Sequence, residues 1–230
     1  MSVKSSSILA AAAMALCASA AQAITLVPVN IAVNGGFETG DKTGWSQEFG
    51  TFAGGGTITV GSPGSNSNYA ATVATGVPGF GLAVGFKNAN LGIGNVMPNE
   101  SVTISFDVKG SYDAGGVAFA EFFSELAGGG VSKSVLLGGA PLFAASQCAG
   151  FNALTYTRCT FTTTTGPNVD GGVTLQLLSA TGGAQGSTAT TMFDNVEITV
   201  MRPVPEPGTY ALMLAGLAGV GVLAKRRRQA

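Results

Sequence analysis

Two pairs of carboxylates lie close together along the chain, Glu121 with Glu125 and Asp107 with Asp113. Paired carboxylates carry glycoside hydrolysis, one protonating the leaving oxygen while the other attacks the sugar or activates water. Neither pair stands in a recognisable motif, and Glu121 and Glu125 share one face of a strand, where solvated carboxylates are ordinary. The chain contains no histidine, which excludes His-dependent triads, His-ligated zinc and the commonest general base. The glycine-rich stretch 76–94 carries neither the lysine placement nor the strand–turn–helix setting of a phosphate loop. No catalytic residues are assigned, and the expectation is a protein that is not an enzyme. For recognition the available groups are rings. Trp45, Tyr69, Tyr112 and Tyr156 each offer a stacking face and a polar edge of the kind that holds a sugar. Packing is the more ordinary role for all four, at the edge of the core in the case of Trp45.

Short strands must position these groups. Val102, Ile104, Phe106 and Val108 alternate with Ser101, Thr103, Ser105 and Asp107, the pattern of a strand with one buried face. Val173, Leu175 and Leu177 follow the same rule, as do Met192, Val196, Ile198 and Val200, and residues 154–165 are rich in β-branched and aromatic types. Further strands are expected at 26–33, 56–60, 69–75, 80–86, 117–123 and 134–137, with turn formers such as Ser62-Pro63-Gly64-Ser65-Asn66 and Gly171-Gly172 between them. No long amphipathic helix is visible. About eight to ten short strands with Gly-rich turns predict an all-β fold, an antiparallel two-sheet β-sandwich over residues 24–202. Asp194 has the same parity as Met192, Val196 and Ile198 and is therefore expected to point inward, where a carboxylate needs a partner.

The two ends read differently from the middle. Lys4, the apolar run Ile8 to Ala20 and the small-x-small triplet Ala21-Gln22-Ala23 make residues 1–23 an N-terminal signal peptide, cleaved after Ala23. From Gly208 to Ala224 no residue is charged, and at a rise of about 1.5 Å per residue the span reaches about 25 Å, enough for one short transmembrane helix. The basic tail 225–230 carries Lys225, Arg226, Arg227 and Arg228, which act as a membrane anchor stop on the cytoplasmic side and leave the domain outside.

Pro205-Glu206-Pro207, an apolar span and a terminal Arg cluster, in that order, resemble the PEP-CTERM sorting signal of exopolysaccharide-producing Gram-negative bacteria. The resemblance implies recognition by an exosortase, a membrane-embedded cysteine transpeptidase-like protease that cuts near the motif. It implies anchoring at the inner membrane, followed by delivery to the cell surface or extracellular space. The two prolines hold residues 203–207 extended, which suits presentation to a protease.

Between the ends the six bases Lys42, Lys87, Lys109, Lys133, Arg158 and Arg202 face all twelve acids, a net charge near −6 that argues against nucleic acid as a partner. Once Cys17 leaves with the signal, Cys148 and Cys159 remain. In an oxidising compartment they are expected to form a disulfide, closing a loop worth about 3 kcal/mol in the chain-entropy picture, with two buried thiols as the competing reading.

The stretch Asn34 to Trp45, "NGGFETGDKTGW", paired with Phe193 to Val200, "FDNVEITV", is similar to the opening and closing strands of jelly-roll carbohydrate-binding modules and galactose-binding-like domains. The resemblance implies neighbouring first and last strands that share a structural Ca²⁺. Its ligands here would be Glu38, Asp194 and the carbonyl of Gly36, with hydrogen bonds to backbone amides or a lysine as the alternative for the carboxylates. Two functions follow as expectations: a sorted, non-enzymatic surface or matrix protein, or a module that binds extracellular polysaccharide.

Overall fold

The structure, a computed structural model, describes residues 25–49, 56–75, 82–113, 115–124, 132–139, 147–181, 186–204, 208 and 214–219. The expected signal peptide 1–23, Pro205-Glu206-Pro207 and the basic tail 225–230 lie outside the described residues. Within these bounds eleven strands form: β1 (Thr25–Asn30), β2 (Ser46–Phe49), β3 (Thr57–Gly61), β4 (Ala70–Ala74), β5 (Leu82–Leu91), β6 (Ser101–Tyr112), β7 (Gly116–Ser124), β8 (Ser132–Gly139), β9 (Thr157–Thr164), β10 (Val173–Thr181) and β11 (Ala189–Val204). They build two layers. One sheet runs β3-β4-β11-β6-β9, with β1 also on β11, and the other runs β2-β5-β10-β7-β8. Along the two five-strand paths every pairing is antiparallel. The predicted two-sheet sandwich is therefore the fold.

The alternation in β6 places Val102, Ile104, Phe106 and Val108 fully inside, opposite Leu175 and Leu177 of β10 and Phe122 of β7, which are buried in the same core. A chain of rings crosses between the layers. Trp45 packs 4.5 Å from Phe86, Phe86 lies 6.4 Å from Phe193, and Phe193 meets Phe106 edge-on at 5.8 Å. Aromatic pairs at such separations add attraction beyond the area that they bury.

One strand departs from its expected parity. The pairing of β11 with β6 shifts register between Asp194 and Glu197, and Asn195 there adopts φ of 47°. This is a β-bulge, which inserts a residue and reverses the alternation. Thr191 and Phe193 face the core before it, Val196, Ile198 and Val200 after it. Met192 is only half-buried. Asp194 accordingly lies on the outer side of the sheet, directly across from Asp107, and not in the core as its spacing suggested. It is nonetheless fully buried.

The opening loop docks against that bulge. Val196 N–H donates to the carbonyl of Gly35 at 2.9 Å, and a Cβ on Gly35 would stand 1.9 Å from the Val196 carbonyl oxygen. Only glycine fits so close an approach of two backbones. The sandwich unit comprises Pro28–Met201, and the chain's ends form a separate unit. In the latter, Gly208 and residues 214–219 are helical, and Leu214 and Leu217 are exposed. Among the described residues no helix is long and apolar enough to cross a membrane. Most of the expected span 208–224 lies outside them.

Candidate functional site

The outer face of the five-stranded sheet collects polar groups in a line. Gln176 of β10 pairs with Lys87 of β5 on one side and with Glu121 of β7 on the other. Lys87 pairs in turn with Ser46 of β2, and Glu121 with Ser134 of β8. One row, Ser46–Lys87–Gln176–Glu121–Ser134, thus crosses all five strands. Its neighbours in β10 and β7 at odd spacing, Leu175, Leu177, Ala120 and Phe122, point into the core, so strand alternation turns this row outward. Gln176 Nε2 donates to Glu121 Oε2 at 3.4 Å. On either side stand rings and methyls. Phe119 pairs with Leu178 in the next row, and Phe123 pairs with Thr174 in the one beyond Glu121. Phe119, Phe123, Glu121 and Lys87 are half-buried, while Gln176 retains 5% of its surface. Amide, carboxylate and ammonium groups flanked by apolar rings can donate to and accept from hydroxyls while the rings cover C–H faces.

The same face offers no carboxylate dyad among the described residues. Glu125 lies outside them. Asp107 and Asp113 sit six residues apart along β6 and its end, a separation of about 20 Å in an extended strand, beyond the span of either hydrolytic geometry. Each is otherwise engaged. Asp113 accepts from Thr188 Oγ1 at 2.8 Å. Asp107 accepts from Asn195 Nδ2 at 2.8 Å and pairs with Arg158 at 3.3 Å.

The carboxylates expected to share a metal hold a loop instead. Asp194 Oδ2 accepts from the Ser65 N–H at 2.6 Å and from the Ser67 hydroxyl at 2.5 Å, and its Oδ1 accepts from the Asn195 N–H at 2.7 Å. Glu38 Oε1 accepts from the N–H groups of Asn68 and Tyr69, both at 3.1 Å, and its Oε2 from Asn68 Nδ2 at 2.8 Å. Two acids from opposite ends of the chain therefore clamp residues 64–69. Asn68's side chain, helped by the Tyr69 and Asn68 amides, holds the Glu38 carboxyl below its ordinary range against the opposing effect of desolvation. For Asp194, burial dominates and pushes the carboxyl up, assisted by Asp107's charge, although Ser67, Ser65 and Asn195 favour its ionised form. Oxygens that face N–H and O–H donors present those donors' positive ends to an incoming cation, and among the described residues no three acidic, His or Cys side chains gather. As arranged, Glu38, Asp194 and the Gly36 carbonyl do not fit Ca²⁺, which needs six to eight oxygens turned toward it. The hydrogen-bonding alternative describes them.

The four candidate rings divide. Trp45 is buried against Phe37 and Phe86, and its Nε1–H donates to the Asn34 carbonyl at 3.2 Å. Tyr69 packs on the core beside Gly40. Tyr112 stacks on Phe151 at 5.5 Å and shares a 3.1 Å hydrogen bond with Thr191; burial pushes its phenol well up. Tyr156 lines an open cleft beside Lys109, whose Nζ sits 4.4 Å over its ring. Burial, then the charges of Asp194 and Asp107, push the Tyr156 phenol up to about 12.

Cys148 and Cys159 are both buried and lie in contact as two thiols, hydrogen-bonded to each other. That contact, then burial, pushes the Cys159 thiol up. Sequence reasoning missed Arg158, which joins Asp107 and Glu197 and donates to the Asn195 carbonyl at 2.7 Å and the Ser105 hydroxyl at 2.7 Å. It also missed the row on the five-stranded sheet. The only signal for that row is the parity of Glu121 and Gln176 within otherwise apolar strands.

Residues 203–228 match the PEP-CTERM protein-sorting motif. No curated protein matches the chain in sequence. Among solved structures, the enzymatically active domain of tailspike protein 4 of bacteriophage CBA120 is 16% identical with a TM-score of 0.50; the match covers 76% of this chain and 22% of that one, so the chain spans less than a quarter of its length. TmCBM61, solved with β-1,4-galactotriose, is 16% identical with a TM-score of 0.45 over 74% of this chain and 97% of its own. The CBM22-1 xylan-binding domain of Paenibacillus barcinonensis Xyn10C is 17% identical with a TM-score of 0.45 over 80% of this chain and 100% of its own. At such identities the likeness is one of fold alone.

Proposed function

We propose that the chain is an exported, non-enzymatic surface or matrix protein, sorted through its C-terminal motif and processed by an exosortase near Pro205-Glu206-Pro207, whose sandwich binds extracellular polysaccharide. The sorting half rests on the motif at 203–228 together with an uncharged span and four consecutive cations after it. A domain held outside by that tetracationic end meets polymer at the cell surface. In that compartment Cys148 and Cys159, already in contact as buried thiols, close to a disulfide.

The observation that carries the binding half is the polar row Lys87–Gln176–Glu121 flanked by Phe119 and Phe123 on one sheet face. Sugars are recognised by such a combination, since each ring offers an apolar face and each hydroxyl both donates and accepts. Affinity electrophoresis of the purified protein through gels containing neutral β-glycans or the secreted polymer of the native host tests it. Retardation is expected, and Phe119→Ala with Gln176→Ala should abolish it without changing the melting temperature by more than a few degrees. Equal mobility with and without every polymer overturns the binding half and leaves the sorting half standing.

A further inference from the structure

A second cleft opens on the opposite sheet, away from the row just described. Its volume is about 350 Å³, and it is lined by Gly64, Ser65, Asn66, Lys109, Leu154, Thr155 and Tyr156. That lies at the lower end of the range for small-molecule sites. The floor is the outer face of the six-stranded sheet, where Lys109 projects from β6 on the side opposite core-facing Val108.

Both walls are fixed. The 64–66 wall is tied to Asp194 through Ser65 and Ser67, and Asn195 Nδ2 donates to the Ser65 carbonyl at 2.9 Å. The 154–156 wall is shaped by Asn152, whose Oδ1 accepts from the N–H groups of Leu154 and Thr155, both at 2.8 Å, and whose carbonyl accepts from Gly110 N–H at 3.1 Å. This Asx turn holds Leu154 with 87% of its surface exposed. The turn fixes the backbone that carries this large apolar side chain at the mouth of the cleft, where it offers contact area.

Among the described residues Lys109 makes no ion pair; its recorded contact is the face of Tyr156. Asp107 and Glu197 pair with Arg158, while Asp194 accepts from the Ser65 and Asn195 N–H groups and the Ser67 hydroxyl; the charges of Asp194 and Asp107 still reach Tyr156. The cleft therefore presents one ammonium that no carboxylate contacts directly, beside the exposed side chain of Leu154. We propose that it binds a carboxylate-bearing sugar, a hexuronate unit, with the carboxylate on Lys109 Nζ and a C–H face of the ring against Leu154. The protein then has two saccharide faces, one for neutral and one for acidic units, on opposite sheets.

Saturation-transfer NMR on the full-length chain in detergent, with D-glucuronate and D-glucose as matched probes, tests this. Glucuronate should bind saturably and at least ten-fold more tightly than glucose, and its affinity should fall as salt is raised from 50 to 500 mM. Lys109→Met should weaken glucuronate at least ten-fold, Lys109→Arg should retain most of it, and Phe119→Ala on the other face should leave it unchanged. Circular dichroism melts coincident with wild type show that each variant is folded. The proposal fails if glucuronate does not saturate or if Lys109→Met leaves its binding intact. Loss on Phe119→Ala instead places the acidic sugar on the five-stranded sheet and also overturns it. None of these results bears on retardation by neutral glycans.

Discussion

Replacing Gly35 with alanine tests how the two ends of the domain are joined. The new Cβ would stand 1.9 Å from the carbonyl oxygen of Val196, 2.9 Å from its carbonyl carbon and 3.3 Å from its Cα, all backbone atoms at a bulge. No side chain can rotate away to relieve the contact, so the opening loop or β11 must shift. Overpacking of this kind costs about 1–3 kcal/mol, and losing the Val196–Gly35 hydrogen bond adds about 0.5–1.5 kcal/mol. The expected loss is about 2–4 kcal/mol, which lowers the melting temperature by about 10 °C for a domain of this size. Gly61→Ala is the matched control. It lies in β3 with nothing within 4 Å of the added methyl and should change stability by less than about 0.5 kcal/mol. Trp45, the single tryptophan, is buried and serves as the fluorescence probe in urea titration. A Gly35→Ala midpoint indistinguishable from that of Gly61→Ala refutes the close docking of loop on bulge.

Under non-reducing conditions, mass spectrometry of protein from an oxidising compartment should find Cys148 and Cys159 linked, and reduction should cost about 3 kcal/mol; alkylation of both thiols without reductant refutes this. Melting temperatures in EDTA and in millimolar Ca²⁺ should coincide, because the Glu38 and Asp194 oxygens already receive hydrogen bonds; a rise with Ca²⁺ contradicts that arrangement. The folded state holds the Glu38 carboxyl below its unfolded value, so its contribution to stability is present above about pH 4.5 and is lost as pH falls through the folded value. Glu38→Gln should therefore be less stable than wild type at pH 7 and converge with it at pH 2 to 3, and a gap independent of pH contradicts the clamp.

Much of the sandwich was legible because most of its strands face water on one side only. In β6 the hydrophobic set Val102, Ile104, Phe106 and Val108 could belong to no other face. The outward row was not legible for the opposite reason. β7 carries apolar residues on both faces, and burial is nearly continuous along β10 although Thr174 and Gln176 stand on its outer side, so apolar character did not distinguish the face of Phe119 and Glu121 from that of Ala120 and Phe122. β11 was misread at one residue. Asn195 with φ of 47° makes the bulge, and that depends on Gly35 and Arg158, far away in sequence. The loop clamp was hidden likewise, since Asp194 meets its donors Ser65 and Ser67 across 129 and 127 positions. Knowing that Glu38 and Asp194 approach the same neighbourhood did not reveal that amides, not a cation, fill it. β2, whose four residues Ser46–Phe49 are mostly polar, carries no hydrophobic signal of its own.

The most direct test of the account is intact-mass measurement of the protein isolated from its native host, surface and culture medium together. The account predicts a chain that begins at Ile24, has lost the segment after the Pro205-Glu206-Pro207 region and carries one disulfide. A single species spanning Met1 to Ala230, recovered from the cytoplasm, contradicts it.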